Sequence, residues 1–289
     1  METTELLKKV RQIEIKARGL SRNIFAGEYH SAFKGRGMAF SEVREYQYGD
    51  DLRDIDWNVT ARYNRPFVKI FEEERELTVM LMIDVSDSLG FGSQSVLKRD
   101  MVAEIAATLA FSAIQNNDKI GVVFFTDKVE KFIPPKKGRK HILFIIREIL
   151  GFNPENSGTD LNMAIQYMTN AIKKRCTAFL ISDFIDSNGY SKAMQIANRK
   201  HDMVAIQVYD KLSTGLYPIG LMKVRDAETG EELWINTSSK KVRNEYSNWW
   251  NRMQAEMNNA FRQSGIDSVS ISTGCDYVKL LLQLFQQRK

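Results

Sequence analysis

The amino-acid sequence predicts an α/β fold: a doubly wound, mostly parallel sheet with helices on both faces, preceded by an N-terminal extension. Three observations carry this. Short apolar runs alternate with longer segments of helical period from residue 77 onward. The run Leu77-Thr78-Val79-Met80-Leu81-Met82-Ile83 is almost wholly apolar, as a parallel strand buried on both faces requires. Asp84-Val85-Ser86-Asp87-Ser88 follows it directly, on the loop leaving the strand's carboxyl end, where open α/β sheets place their ligand sites.

Taken in order, residues 3–18 set Leu6, Leu7, Val10, Ile13, Ile15 and Ala17 among basic residues, the pattern of an amphipathic helix docked on the body of the protein. Residues 27–66 are polar, Gly-containing and weakly periodic, and no element is predicted there. After strand 77–83 the periodicity predicts a helix over 94–116, a strand over 119–125 and a short strand over 129–133. The tight turn Thr126-Asp127-Lys128 makes that last strand an antiparallel edge. Helices follow over 139–150 and 160–174, then strand 176–182, a helix over 190–199 and strand 203–209. A hairpin over 219–236 has Glu228-Thr229-Gly230-Glu231 near its turn, and a helix over 239–264, a strand over 266–271 and a helix over 276–287 close the chain. The expected division is an extension over 1–76 and an α/β domain over 77–289.

Composition narrows the function classes. Hydrophobic residues make up 43% and charged residues 27% of 289, which is ordinary for a globular chain. Two cysteines, Cys176 and Cys275, make no disulfide framework, and Cys176 opens a core strand, so a reducing compartment is expected. No stretch approaches the ~20 apolar residues of a membrane span, and the acidic start Met1-Glu2-Thr3-Thr4-Glu5 lacks a secretory pattern. The expected location is the cytoplasm. The net charge of +5 is mild, and the cluster Lys136-Lys137-Gly138-Arg139-Lys140 reads as a solvated turn before it reads as a nucleic-acid contact.

The chemistry gathers on three loops. Asp84, Ser86 and Ser88 leave the first core strand; Ser157-Gly158-Thr159-Asp160 precedes the helix at 160; Ser182-Asp183 ends the strand at 176–182. Hard oxygen donors of this kind suit Mg²⁺ or Mn²⁺. The structural alternative is that these loops only cap helices, for which Ser, Thr and Asp are preferred. Asp-x-Ser-x-Ser, then Thr, then Asp resembles the metal-ion-dependent adhesion site of von Willebrand factor A-type domains. The metal residues are then Asp84, Ser86, Ser88, Thr159 and Asp183. Two carboxylates against a divalent ion leave no surplus negative charge, so an open position would take an acidic side chain of a client or partner. That suits recognition better than generation of a nucleophile.

A second resemblance lies upstream. Gly35-Arg36-Gly37-Met38-Ala39-Phe40-Ser41-Glu42-Val43-Arg44-Glu45-Tyr46, then Gly49-Asp50-Asp51-Leu52-Arg53-Asp54-Ile55-Asp56-Trp57 and Asn58-Val59-Thr60-Ala61-Arg62, resembles the signature of bacterial von Willebrand factor A-like proteins associated with MoxR-type AAA+ ATPases. The resemblance implies such an ATPase as partner and a role in assembling or maturing other proteins. Within 49–62 the opposite charges read as an internal ion-pair network or as a docking surface. Arg53, Asp54, Trp57 and Arg62 are the candidate contact residues, because Trp and Arg dominate binding hot spots.

Enzyme readings find less support. Ser86 and Ser88 lack a Gly-x-Ser-x-Gly elbow, and His30, His141 and His201 all lie far in sequence from the metal loops. Ser86 stands where an aspartyl phosphatase needs its second Asp. Gly90-Phe91-Gly92-Ser93 lacks the Gly-Lys-Ser/Thr ending of a phosphate loop and reads as a turn. The expectation is a non-enzymatic, metal-dependent interaction module. The rivals are a nucleic-acid-binding A-type protein and, behind it, a metal-dependent hydrolase.

Overall fold

The structure is a computed structural model and describes residues 3–20, 39–72, 77–90, 92, 97–186, 188–225 and 232–288. The chain forms two compact units, Lys34–Glu76 and the remainder.

In the larger unit, α1 (Thr3–Leu20) precedes β3 (Thr78–Asp84), α3 (Lys98–Gln115), β4 (Lys119–Phe125), β5 (Val129–Lys136), α4 (Arg139–Gly151) and α5 (Leu161–Ala171). Then come β6 (Thr177–Ser182), α6 (Ser191–Lys200), β7 (Asp202–Tyr209), β8 (Leu221–Arg225), β9 (Glu232–Asn236), α7 (Lys240–Ser264), β10 (Asp267–Ser272) and α8 (Tyr277–Gln287). Six strands form one sheet in the order β10-β7-β6-β3-β4-β5. All neighbours are parallel except β5, an antiparallel edge on β4. The expected doubly wound, mostly parallel sheet is therefore the observed one.

Alternation along the strands divides the interior into two cores. Val79, Leu81 and Ile83 face one core with α1, α3, α4 and α8. Met80 and Met82 face the other with α5, α6 and α7. Helix α3 is buried nearly all round, since α1 covers the side that the sheet does not. Val10, Ile13 and Ala17, at i, i+3 and i+7, are the buried stripe of α1, whereas Leu7 and Ile15 are exposed. The sequence pattern had grouped all five. Helical spacing separates Ile15 from the stripe, because it stands two positions from both Ile13 and Ala17. Lys9 pairs with Asp100 at 3.1 Å, and Arg139 donates to Glu14 at 2.7 Å, so the basic turn at 136–140 helps to hold α1.

The smaller unit corrects the expectation of no element over 27–66. β1 (Ala39–Glu45) pairs antiparallel with β2 (Phe67–Glu72), and α2 (Trp57–Tyr63) lies between them in sequence. The pairing slips between Phe40 and Glu42, which breaks the alternation that marks a strand in sequence. Asp56 caps α2 by accepting from the N–H groups of Asn58 and Val59 at 3.0 and 3.2 Å. Residues 21–38, which hold His30 and the Gly35–Met38 start of the signature, lie outside the described residues. So do Phe91 and Ser93 of the Gly90–Ser93 turn and the 226–231 turn of the β8–β9 hairpin.

Candidate metal centre

The site follows from sheet topology. Chain order runs from β3 to β4 on one side, while β6 flanks β3 on the other. The carboxyl end of β3 is thus the switch point at which a crevice opens. Asp84 is its last residue and lies opposite Phe125 of β4. Ser182 ends β6 next door, and Asp183 follows it. The loop before α5 brings in Thr159, and the N–H of Asp87 donates to the Ser157 carbonyl at 3.4 Å, joining two of the three loops.

Around Asp84 the oxygens converge. One carboxylate oxygen accepts the Ser86 N–H at 3.0 Å; the other accepts the Ser182 hydroxyl at 2.6 Å and lies 3.5 Å from the Thr159 hydroxyl. The Ser86 and Ser88 hydroxyls are 3.1 Å apart. Asp84, Ser86, Thr159, Ser182 and Asp183 are all buried. Burial, then the neighbouring Asp183 charge, pushes the Asp84 carboxyl up to about 6, against the bonds from Ser182 and Ser86 that favour its charged form. A cation placed here would relieve both penalties.

The structure brings Asp84, Ser86, Ser88 and Thr159 together directly, and Asp183 beside them through its charge. It also adds two residues that the candidate set lacks. Ser182 both donates to Asp84 and accepts from the Phe184 N–H at 3.0 Å. Lys98, at the start of α3, donates to Asp183 at 3.0 Å, and both side chains are buried, at 4% and 2% exposure. Lys98 begins the buried stripe Lys98, Met101, Val102, Ile105 of α3, but Arg99, Asp100 and Glu104 on the same helix leave nothing in the sequence to set it apart. The other Asp183 oxygen accepts the Ile185 N–H at 3.3 Å. Phe184, between them, is buried with a left-handed backbone (φ 60°), which a bulky side chain rarely adopts. Packing against Phe261, with ring centroids 4.9 Å apart, holds it there.

Asp84, Ser86, Ser88 and Thr159 fit a hard cation by donor chemistry: oxygen atoms only, from separate loops, around one carboxylate with the Asp183 charge beside it. Capping does not account for them. The cap of α5 is Asp160, which accepts from Met163 N–H at 2.8 Å, and not Thr159. The described histidines are engaged elsewhere. His141 Nε2 donates to the Ile120 carbonyl at 3.0 Å. His201 is buried with its Nδ1 3.3 Å from Cys176 Sγ, and burial holds its ring down to about 4 and pushes the thiol up to about 12.

In the smaller unit, Arg53 pairs with Asp51 at 2.9 Å, Arg44 with Asp50 at 2.6 Å and Lys69 with Asp56 at 3.8 Å. Asp54 and Arg62 are exposed, and Trp57 is 70% exposed.

Residues 42–256 match the family described as "Protein of unknown function DUF58". The chain belongs to the DUF58 family. Its relatives include the uncharacterized protein Rv1480 of Mycobacterium tuberculosis (strain ATCC 25618 / H37Rv), 26% identical over 293 residues that cover 100% of this chain and 92% of the relative. Among solved structures, this DUF58 chain is similar to the conserved hypothetical protein BatB of Bacteroides thetaiotaomicron, at 15% identity and a TM-score of 0.48, covering 73% of this chain and 98% of that one. It is also similar to the SpRpn10 VWA domain, at 12% identity and a TM-score of 0.43, covering 73% of this chain and 95% of that one. The family match takes in the smaller unit from Glu42 and all three loops of the site.

Proposed function

We propose that this DUF58 chain is a non-enzymatic protein-interaction module of the von Willebrand factor A type. Its docking site needs Mg²⁺ or Mn²⁺, and it serves as adaptor or co-chaperone to a MoxR-type AAA+ ATPase in the cytoplasm, in the assembly or maturation of other proteins. The observation that supports this best is the convergence of Asp84, Ser86, Ser88 and Thr159 beside Asp183 at the switch point of the sheet. A bound cation would supply a Lewis-acidic position for a carboxylate of the partner. The chain's own residues would orient it: Asp84 as the charged donor, the three hydroxyls as neutral donors, and Ser182 as the clamp on Asp84. The exposed Trp57, with Arg53, Asp54 and Arg62, offers a second contact surface on the smaller unit.

The hydrolase alternative draws no support from the described histidines, since His141 and His201 are engaged away from the site residues. The nucleic-acid alternative loses part of its basic cluster to the Arg139–Glu14 pair.

Pull-down with a MoxR-type ATPase from the same organism tests the reading. Capture that EDTA weakens, and that excess Mg²⁺ restores, is expected. Capture indifferent to EDTA but lost in Trp57→Ala would move the contact to the smaller unit, and no capture under either condition would refute the partnership.

A further inference from the structure

Lys98 is an unusual residue for its place. It is the first residue of α3, where the helix dipole disfavours a positive charge. Its ammonium is buried, and removing an ammonium from water costs several kcal/mol unless it is paired. The observed partner is Asp183, at 3.0 Å. Neither packing nor helix stability accounts for a lysine there; a leucine or methionine would fill the same stripe beside Met101, Val102 and Ile105 at less cost.

The placement has a consequence for charge. Asp84 and Asp183 are two buried carboxylates that interact, and Lys98 contributes one positive charge to the same cluster. Asp183 is also occupied at both oxygens, one by Lys98 and the other by the Ile185 N–H. Asp84 accepts only from neutral groups, the Ser86 N–H and the Ser182 hydroxyl, with the Thr159 hydroxyl 3.5 Å away, so its charge is the one a cation would meet without a cationic partner.

We infer that Lys98 is the built-in counter-cation of this site: it holds Asp183 away from direct coordination and lowers the affinity for divalent metal. This rests on the metal reading above and adds a positioning residue to it. Lys98 keeps the empty cluster from carrying two uncompensated charges, and the same charge keeps metal binding weak and reversible.

The test is calorimetric titration of the full chain with MnCl₂, alongside thermal melts in EDTA and in Mn²⁺. Wild type is compared with Lys98→Met, Lys98→Gln and Lys98→Arg. Removal of a like charge within several ångström of the cation should tighten Mn²⁺ binding by about tenfold or more in Lys98→Met. Its melting temperature in EDTA should fall and should recover in Mn²⁺ by more than wild type gains. Lys98→Gln keeps a donor for Asp183 and should tighten binding in the same direction should the Met variant fold poorly. Lys98→Arg keeps the charge and should stay within about threefold of wild type. Wild-type binding with equal or weaker binding in both neutral variants overturns the inference and leaves the metal site standing. Absence of Mn²⁺ binding in all four proteins overturns the metal reading and the inference together.

Discussion

The chemistry of the candidate site rests on a few oxygen atoms whose neighbours differ. Asp84 is gripped by a serine hydroxyl at 2.6 Å, whereas Thr159 reaches it only at 3.5 Å. Thr159 caps no helix, so its hydroxyl contributes little to folding. Thr159→Ala is therefore expected to leave stability within about 1 kcal/mol of wild type, the scale of one net hydrogen bond. Affinity for a partner docked through the metal should fall by more than that, and Thr159→Ser should restore most of it. Thermal melts and partner titrations at saturating Mg²⁺ measure the two separately; equal affinity in all three proteins would argue against a metal-bridged contact. Residue identity made Asp84, Ser86, Ser88, Thr159 and Asp183 legible as candidates, because oxygen donors at strand ends stand out against apolar runs. Lys98 and Ser182 were not chosen. A buried lysine looks like any surface lysine until its helix is seen to be covered on both sides, and Ser182 looks like part of its strand.

Strands and helices of the larger unit were read from periodicity in the right order, with bounds that range from exact to a few residues off: β4, expected over 119–125, spans Lys119–Phe125, whereas α3, expected over 94–116, spans Lys98–Gln115. What periodicity did not convey was the smaller unit, where a slipped pairing and short, charged elements leave no clean alternation. The edge strand shows a related limit. β5 runs to Lys136, beyond the expected 133, and carries Pro134 and Pro135, which an edge tolerates because one side of the ladder needs no donor. Where β5 crosses β4, Gly121 has no room for a side chain: a Cβ would lie 2.8 Å from the Ile133 carbonyl oxygen, 2.8 Å from Met80 Sδ and 2.9 Å from the Pro135 nitrogen. Two of these are backbone atoms that cannot swing aside. Gly121→Ala is expected to destabilise the larger unit by about 1–3 kcal/mol, the usual cost of overpacking. Urea denaturation checks this; an unchanged midpoint would mean that β5 yields at its edge.

At the scale of the whole molecule, the doubly wound sheet places the oxygen cluster at its topological switch point, and membership of the DUF58 family covers the cluster and most of the smaller unit. No described helix is long and apolar enough to cross a membrane. The fold class was legible because strand–helix alternation restricts the sheet to few arrangements. The client was not, because exposed residues such as Trp57 obey no packing rule that a sequence pattern could reveal. The account's central claim is that the Asp84 cluster is a divalent-cation site. Calorimetric titration of the full chain with MnCl₂, wild type against Asp84→Ala, tests it most directly. One weak site in wild type, absent from a folded Asp84→Ala protein, is the expected result; Mn²⁺ binding that survives the substitution, or no binding to wild type, would contradict the account.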